Sequence, residues 1–240
     1  MPSISVFIFE NDFTKEDACK KLNGVEFPEG WVVAEASKNN LDEIFIKYWY
    51  HENVEDGINK VFLQDEALEI VSYLRENGIN KVLKRTYCFL DLRKKTLEIY
   101  RGKDKRTDEI VSLMEKILEI KFIPLILKPE ALQHIYSNHS NELTQVMFKN
   151  INGFFYDIIR GNRLDMNGHY LDYLKEFPQS LRVISFKPRI RFENGYSNYQ
   201  VTINGDKGTI RFSDFNDFKW RPRGEIRQVV SIALSPLRSD

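Results

Sequence analysis

The chain has 240 residues, 42% of them apolar and 29% charged, with 35 Lys and Arg set against 35 Asp and Glu. That make-up excludes a disordered or fibrous chain and predicts a folded globular protein. No apolar run approaches the roughly 18 residues of a membrane-spanning helix, and the start lacks the basic segment and long apolar stretch of a signal peptide, so the expectation is a cytoplasmic protein without membrane association.

Ile4 to Phe9 alternates as a first strand and ends at Asn11-Asp12. A helix follows: Thr14 with Asp17 three residues on is a variant capping box, Ala18 and Leu22 form the apolar face, and Asn23-Gly24 is the stop. Trp31 to Ala36 and Ile44 to Tyr50 read as strands joined through Lys38-Asn39-Asn40. A second helix runs from about Asp65 to Glu76, with Ala67, Leu68, Val71 and Leu74 on one side. Val82 to Leu92 and Thr96 to Tyr100 make a hairpin around Arg93-Lys94-Lys95, and a helix capped by Thr107 carries Ile110, Leu113, Met114 and Ile117 at helical spacing.

Phe122 to Leu127, with Pro124 inside and Pro129 after it, reads as a connection between two halves. Glu130 to Asn150 reads as one long helix, or two broken near Asn138 to Asn141. Phe154 to Ile159 follows as a strand, His169 to Phe177 as an amphipathic helix, and Val183 to Phe192 as a long strand placed at a sheet edge by Pro188. Tyr199 to Asn204 and Thr209 to Ser213 form a hairpin around Gly205-Asp206-Lys207-Gly208, and Glu225 to Leu234 closes as a helix.

These elements predict an α+β protein in two halves, an acidic one over 1–123 and a basic one over 124–240, each a mainly antiparallel sheet with helices on one face. Hairpin, polar loop and helix occur twice, and Glu109-Ile110 and Glu225-Ile226 open the two helices alike. Two such halves in a pseudo-twofold arrangement resemble the topology of TATA-box-binding-protein-like folds, in which each half ends in a hairpin followed by a helix across the sheet.

The charge is polarised along the chain. Residues 1–60 hold 6 Lys or Arg against 12 Asp or Glu, whereas residues 181–240 hold 11 against 6, and 8 of the 15 arginines fall in that last quarter. Arginine is the cation suited to planar recognition of phosphate. In the strand reading of 183–192, Lys187, Arg189 and Arg191 line one face about 6.5 to 7 Å apart, a spacing compatible with a polyanion lying across them. Arg211, Arg221 and Arg223 extend this patch, and Trp220, Tyr196 and Tyr199 offer stacking surfaces. A second cluster between Arg93 and Arg106 includes Arg93, Lys94, Lys95, Arg101 and Lys103, with Tyr100 inside it.

Other chemistries leave less of a trace. Cys19 and Cys88 form no CxxC pair and read as reduced thiols. His134 and His139, five apart, stand about 140° apart round a helix and match no zinc spacing. No nucleophile elbow or phosphate-binding glycine loop occurs, so no cofactor and no metal are expected. Asp91, Glu98, Asp104 and Glu119-Ile120-Lys121 are the carboxylates a metal-dependent nuclease would use. The function expected is therefore non-catalytic binding of DNA or RNA through the C-terminal basic strand and loop. The alternative is a protein-interaction or assembly module in which opposite charges meet, a homo-oligomer included, with Tyr48, Trp49 and Tyr50 as interface aromatics.

Overall fold

A computed structural model of the chain describes residues 3–38, 40–58, 64–100, 104–151, 153–193, 199–213 and 221–237. The fold is α+β, and the chain divides into two compact units, residues 9–122 and a C-terminal unit of residues 123–240 that also takes in residues 1–8. Strand β1 (Ser3–Ile8) thus belongs to the C-terminal unit.

The 9–122 unit opens with α1 (Lys15–Leu22), whose Thr14 side chain accepts the Asp17 amide and whose Ala18 and Leu22 are buried. The sheet of this unit runs β2 (Glu26–Phe27), β3 (Gly30–Ala36), β4 (Glu43–Asn53), then β5 (Lys81–Asp91) and β6 (Thr96–Tyr100), every neighbouring pair antiparallel. Between β4 and β5 the chain forms α2 (Val54–Ile58) and α3 (Gln64–Glu76), and after β6 comes α4 (Asp104–Leu118). Alternation sorts the strands cleanly: Val32 and Ala34 on β3, Ile44, Ile46, Tyr48 and Tyr50 on β4, and Cys88 and Leu90 on β5 are buried together on the side that carries the helices.

The C-terminal unit continues with β7 (Ile123–Pro124), α5 (Pro129–His139), β8 (Ser140–Ile151), β9 (Phe154–Arg160), α6 (Gly168–Glu176), β10 (Leu181–Pro188), β11 (Gln200–Asn204), β12 (Thr209–Ser213) and α7 (Arg223–Leu234). Its strands lie in the order β1-β12-β11-β10-β8-β9, with β7 also on β1. Two neighbouring rows of side chains cross six strands. One is aliphatic, Ile4, Ile210, Ile203, Ile184, Val146 and Ile159, and buried from Ile4 to Val146. The other, one residue along each strand, is polar: Ser3, Arg211, Thr202, Ser185, Gln145 and Arg160. A step of one residue changes the face, so the two rows look in opposite directions.

The helices of this unit are tied to the aliphatic side. Tyr199 packs on Phe212 and meets Arg221 at the entry to α7, while α5 and α6 join through the Tyr170 hydroxyl, which donates to the Tyr136 hydroxyl at 2.8 Å beside Phe148. Tyr170 is fully buried, and that burial together with the Tyr136 hydroxyl pushes its own pKa up.

Three expectations are overturned. Residues 140–151 are a strand and not helix: Leu143, Val146 and Phe148 are buried against the sheet, and β8 pairs with β10 and β9 on its two sides. Thr107 caps nothing, because α4 begins at Asp104 and Thr107 lies buried in its first turns. The strand expected over 183–192 ends at Pro188 and runs between β8 and β11 rather than at an edge; Pro188, as its last residue, leaves no amide missing from the interior of the ladder.

Candidate nucleic-acid interface

Of the residues expected to meet nucleic acid, the cations Arg101 and Lys103 and the stacking candidates Trp220 and Tyr196 lie outside the described residues. Lys187 sits on the polar side of the C-terminal sheet, with Nζ 2.6 Å from Glu142 Oε2 on the neighbouring strand. Arg189 and Arg191 follow the end of β10, so strand alternation does not order them. Arg189 donates to Asn141 Oδ1 (3.3 Å) and to the Ser140 carbonyl (3.1 Å), while the Arg191 backbone is clamped by the Gln228 side chain of α7. Arg221 and Arg223 lie at the entry to α7, on the helix side. Arg221 donates Nε to Glu225 Oε2 at 2.9 Å and lies 4.5 Å over the Tyr199 ring; Glu225 is fully buried and Arg221 11% exposed. Tyr199 is itself 2% exposed, and burial with the Glu225 carboxylate raises its pKa, so it holds Arg221 and offers no base an open ring.

Arg211 is different. It projects from β12 on the polar side, exposed, and among the described residues it has no ion-pair or hydrogen-bond partner. At the far end of the same row Arg160 is exposed and, among the described residues, spends only its Nε, on Gln145 Oε1 (2.9 Å). Four strand spacings separate them, about 19 Å. Between them Ser185 and Thr202 hydrogen-bond each other at 2.8 Å. The structure therefore gathers Arg211 and Lys187 on one side and sends Arg221 and Arg223 to the other.

In the 9–122 unit, Arg93 is exposed at the β5–β6 turn, Lys94 leans toward Asp91 (3.9 Å), and Lys95, at φ 54°, reaches the Glu10 carbonyl (2.8 Å) and Asp12 (2.9 Å). Of the carboxylates a nuclease would use, Asp91 and Glu98 lie on neighbouring strands and are 1% and 0% exposed. Among the described residues no three His, Cys, Asp or Glu side chains are grouped to hold a metal ion. Cys19 and Cys88 are both free.

A second surface was only partly visible in the sequence. The side of β3, β4 and β5 opposite the helices carries Trp31, Phe45, Lys47, Trp49, Arg85, Tyr87 and Phe89. Trp31 and Trp49 stack at 5.8 Å, Phe45 lies 4.9 Å from Phe89 and 5.5 Å from Tyr87, and the Arg85 guanidinium rests 5.5 Å from the Trp49 ring and 4.8 Å from Tyr87. Of the three neighbouring aromatics named from sequence, Tyr48 and Tyr50 are buried beneath the helices and Trp49 alone faces outward. The period of two on β5, Arg85-x-Tyr87-x-Phe89, was the signal that would have found the rest. No protein-family model and no curated protein matches the chain.

Proposed function

We propose that the chain is a non-catalytic nucleic-acid-binding protein that engages the phosphate backbone across the polar side of its C-terminal sheet. One observation carries this reading: a row of polar side chains across the sheet holds two exposed arginines, Arg211 and Arg160, neither opposed by a carboxylate among the described residues. Outward guanidinium groups on a sheet side suit a polyanion, and the sequence's excess of arginine in its last quarter supports the same ligand. Lys187 contributes at the flank, and Arg191, exposed beyond the strand, is a further contact. The order β5, β6, α4 in one unit and β11, β12, α7 in the other supports reading them as duplicated halves, as in TATA-box-binding-protein-like folds.

Fluorescence anisotropy with a labelled oligonucleotide, across a salt series, tests the reading. Each phosphate contact adds about 0.7 to 0.9 to the slope of log affinity against log salt. The double variant R211E/R160E is expected to lower that slope by about 2 and the affinity at least tenfold. Unchanged affinity and slope in the double variant refute the assignment.

An interaction module is the second reading, favoured by β9, which lies at the end of the strand order and exposes Phe155 (87%) and Tyr156 (61%). Self-association seen by sedimentation in the absence of nucleic acid decides for it.

A further inference from the structure

We propose that the helix-free side of β3, β4 and β5 is a stacking platform for unpaired bases, which makes the ligand a single-stranded polynucleotide. The inference deepens the nucleic-acid reading and rests on it for the class of ligand, but it uses residues of the other unit.

The geometry begins with alternation. On β4, Ile44, Ile46, Tyr48 and Tyr50 face the helices, so Phe45, Lys47, Trp49 and His51 face away, and register brings Trp31 and Arg85 to either side of Trp49. The helices of this unit occupy the other side: α1 packs on β3 and β4, α2 on β4 and β5, and Arg106 of α4 lies 4.0 Å over the Tyr50 ring. Around Trp31, Trp49, Arg85 and Tyr87 the rings and the guanidinium contact one another, whereas toward β6 the same side closes, with Phe89 against Tyr100 at 5.1 Å. Three strands span about 10 Å, room for about two or three splayed bases.

Charge selects the occupant. Arg85 is exposed at the centre, held by two aromatic rings and by no carboxylate among the described residues. Lys47, 5.1 Å from the Phe45 ring, is the second cation and is shared with Glu35 at 2.7 Å. The remaining carboxylates of this side stand off its centre: Glu26 opposite Trp31 at the β2 rim, and Glu43, Asp91 and Glu98 toward β6, each of these three at most 1% exposed. Rings that accept a π-face beside a guanidinium with free donors match base and phosphate together, the two halves of one nucleotide. A second copy of this chain fits poorly, because a twofold contact through the patch sets Arg85 against its own image with the water removed. A duplex fits poorly too, since its bases are already stacked on each other.

Binding to the full chain is read by anisotropy of a labelled probe, a signal that survives loss of Trp31 and Trp49, and in the wild type also by the emission of its three tryptophans, Trp31, Trp49 and Trp220. The probes are an oligothymidylate of about 12 nucleotides and a duplex of about 12 base pairs, within the range of site sizes known for single-strand binders. Oligothymidylate is expected to quench the emission. W31A/W49A is expected to weaken its binding about 5- to 150-fold while duplex affinity stays level, the range that loss of stacking gives. Arg85→Ala, at an exposed position whose loss leaves the fold intact, is expected to weaken it as well, and W31F/W49F to retain most of it. Undiminished oligothymidylate binding in both W31A/W49A and Arg85→Ala overturns the platform, and if R211E/R160E still lowers affinity the broader reading survives alone. A wild-type dimer that W31A/W49A dissolves likewise overturns it, because the face then belongs to a second copy. No binding of either probe by the wild type at low salt removes both proposals.

Discussion

Removing Glu225 is expected to cost more stability than any other single carboxylate truncation in the C-terminal unit. Its side chain is fully buried; Oε2 takes Arg221 Nε at 2.9 Å and lies 2.8 Å from the other guanidinium donor, and Oε1 accepts the Glu193 amide at 2.9 Å. Glu225→Ala strips one partner from a buried pair and leaves an arginine only 11% exposed with its charge uncompensated, a change that costs about 3 to 5 kcal/mol. The Glu193 amide also loses its acceptor, which pushes the figure toward the upper end. Against a total stability of about 5 to 15 kcal/mol such a loss is large. Urea unfolding followed by circular dichroism reads it directly. The double variant R221M/E225M, which removes both charges and keeps much of the volume, is expected to recover most of the loss. A cost below about 1 kcal/mol for Glu225→Ala refutes the reasoning, since it equates the pair with an exposed surface bridge.

Two further predictions follow from single positions. Burial, then His134 and Arg189, hold the His139 imidazole below its ordinary range, while its Nε2 lies 3.1 Å from Ser235 Oγ. The unfolded chain takes up that proton near pH 6.5 and the folded chain does not. Stability is therefore complete above that pH and falls as the pH drops toward the lower folded value; urea midpoints from pH 7 to 5 should slope less in H139Q. Gly30 allows β3 to approach β4: a Cβ there overlaps the Trp49 carbonyl oxygen and stands 2.9 Å from Tyr50 Cα. Gly30→Ala is expected to cost about 1 to 3 kcal/mol or more in urea unfolding and to disturb the neighbouring Trp31–Trp49 stack, visible in near-ultraviolet circular dichroism.

Much of the architecture was legible because local chemistry and global fold agree. Thr14 with Asp17, the turn at Arg93 to Lys95, and the hairpin around Gly205 to Gly208 carry their own signals, and each appears where those signals put it. Residues 140–151 misled because Leu143, Val146 and Met147 fit a helical stripe as well as a strand does; pairing with β10 and β9 decides between them, and that is long-range information. Leu68 was read into a buried stripe, yet it is 57% exposed on α3 while Ala67 and Val71 are buried. The candidate cations were found by counting charge, which locates arginines but not their partners. Glu142 lies 45 positions from Lys187 and pairs with it only through sheet register, and Arg221 and Arg211 part company because one precedes a helix and the other alternates on a strand.

The pairing of β1 with β12 brings Ser3 opposite Arg211 and Ile4 opposite Ile210. During synthesis the ribosome must add about 200 residues after β1 emerges before β12 exists, a delay of about 10 to 40 s at ordinary elongation rates. Residues 9–122 are contiguous and are complete well within that interval, so they are free to fold first. Until β12 arrives the Ser3 to Ser5 stretch of β1 lacks its ladder there, with only the short β7 paired at Phe7 and Ile8, and a chaperone or a neighbouring nascent chain has that long to capture the open edge.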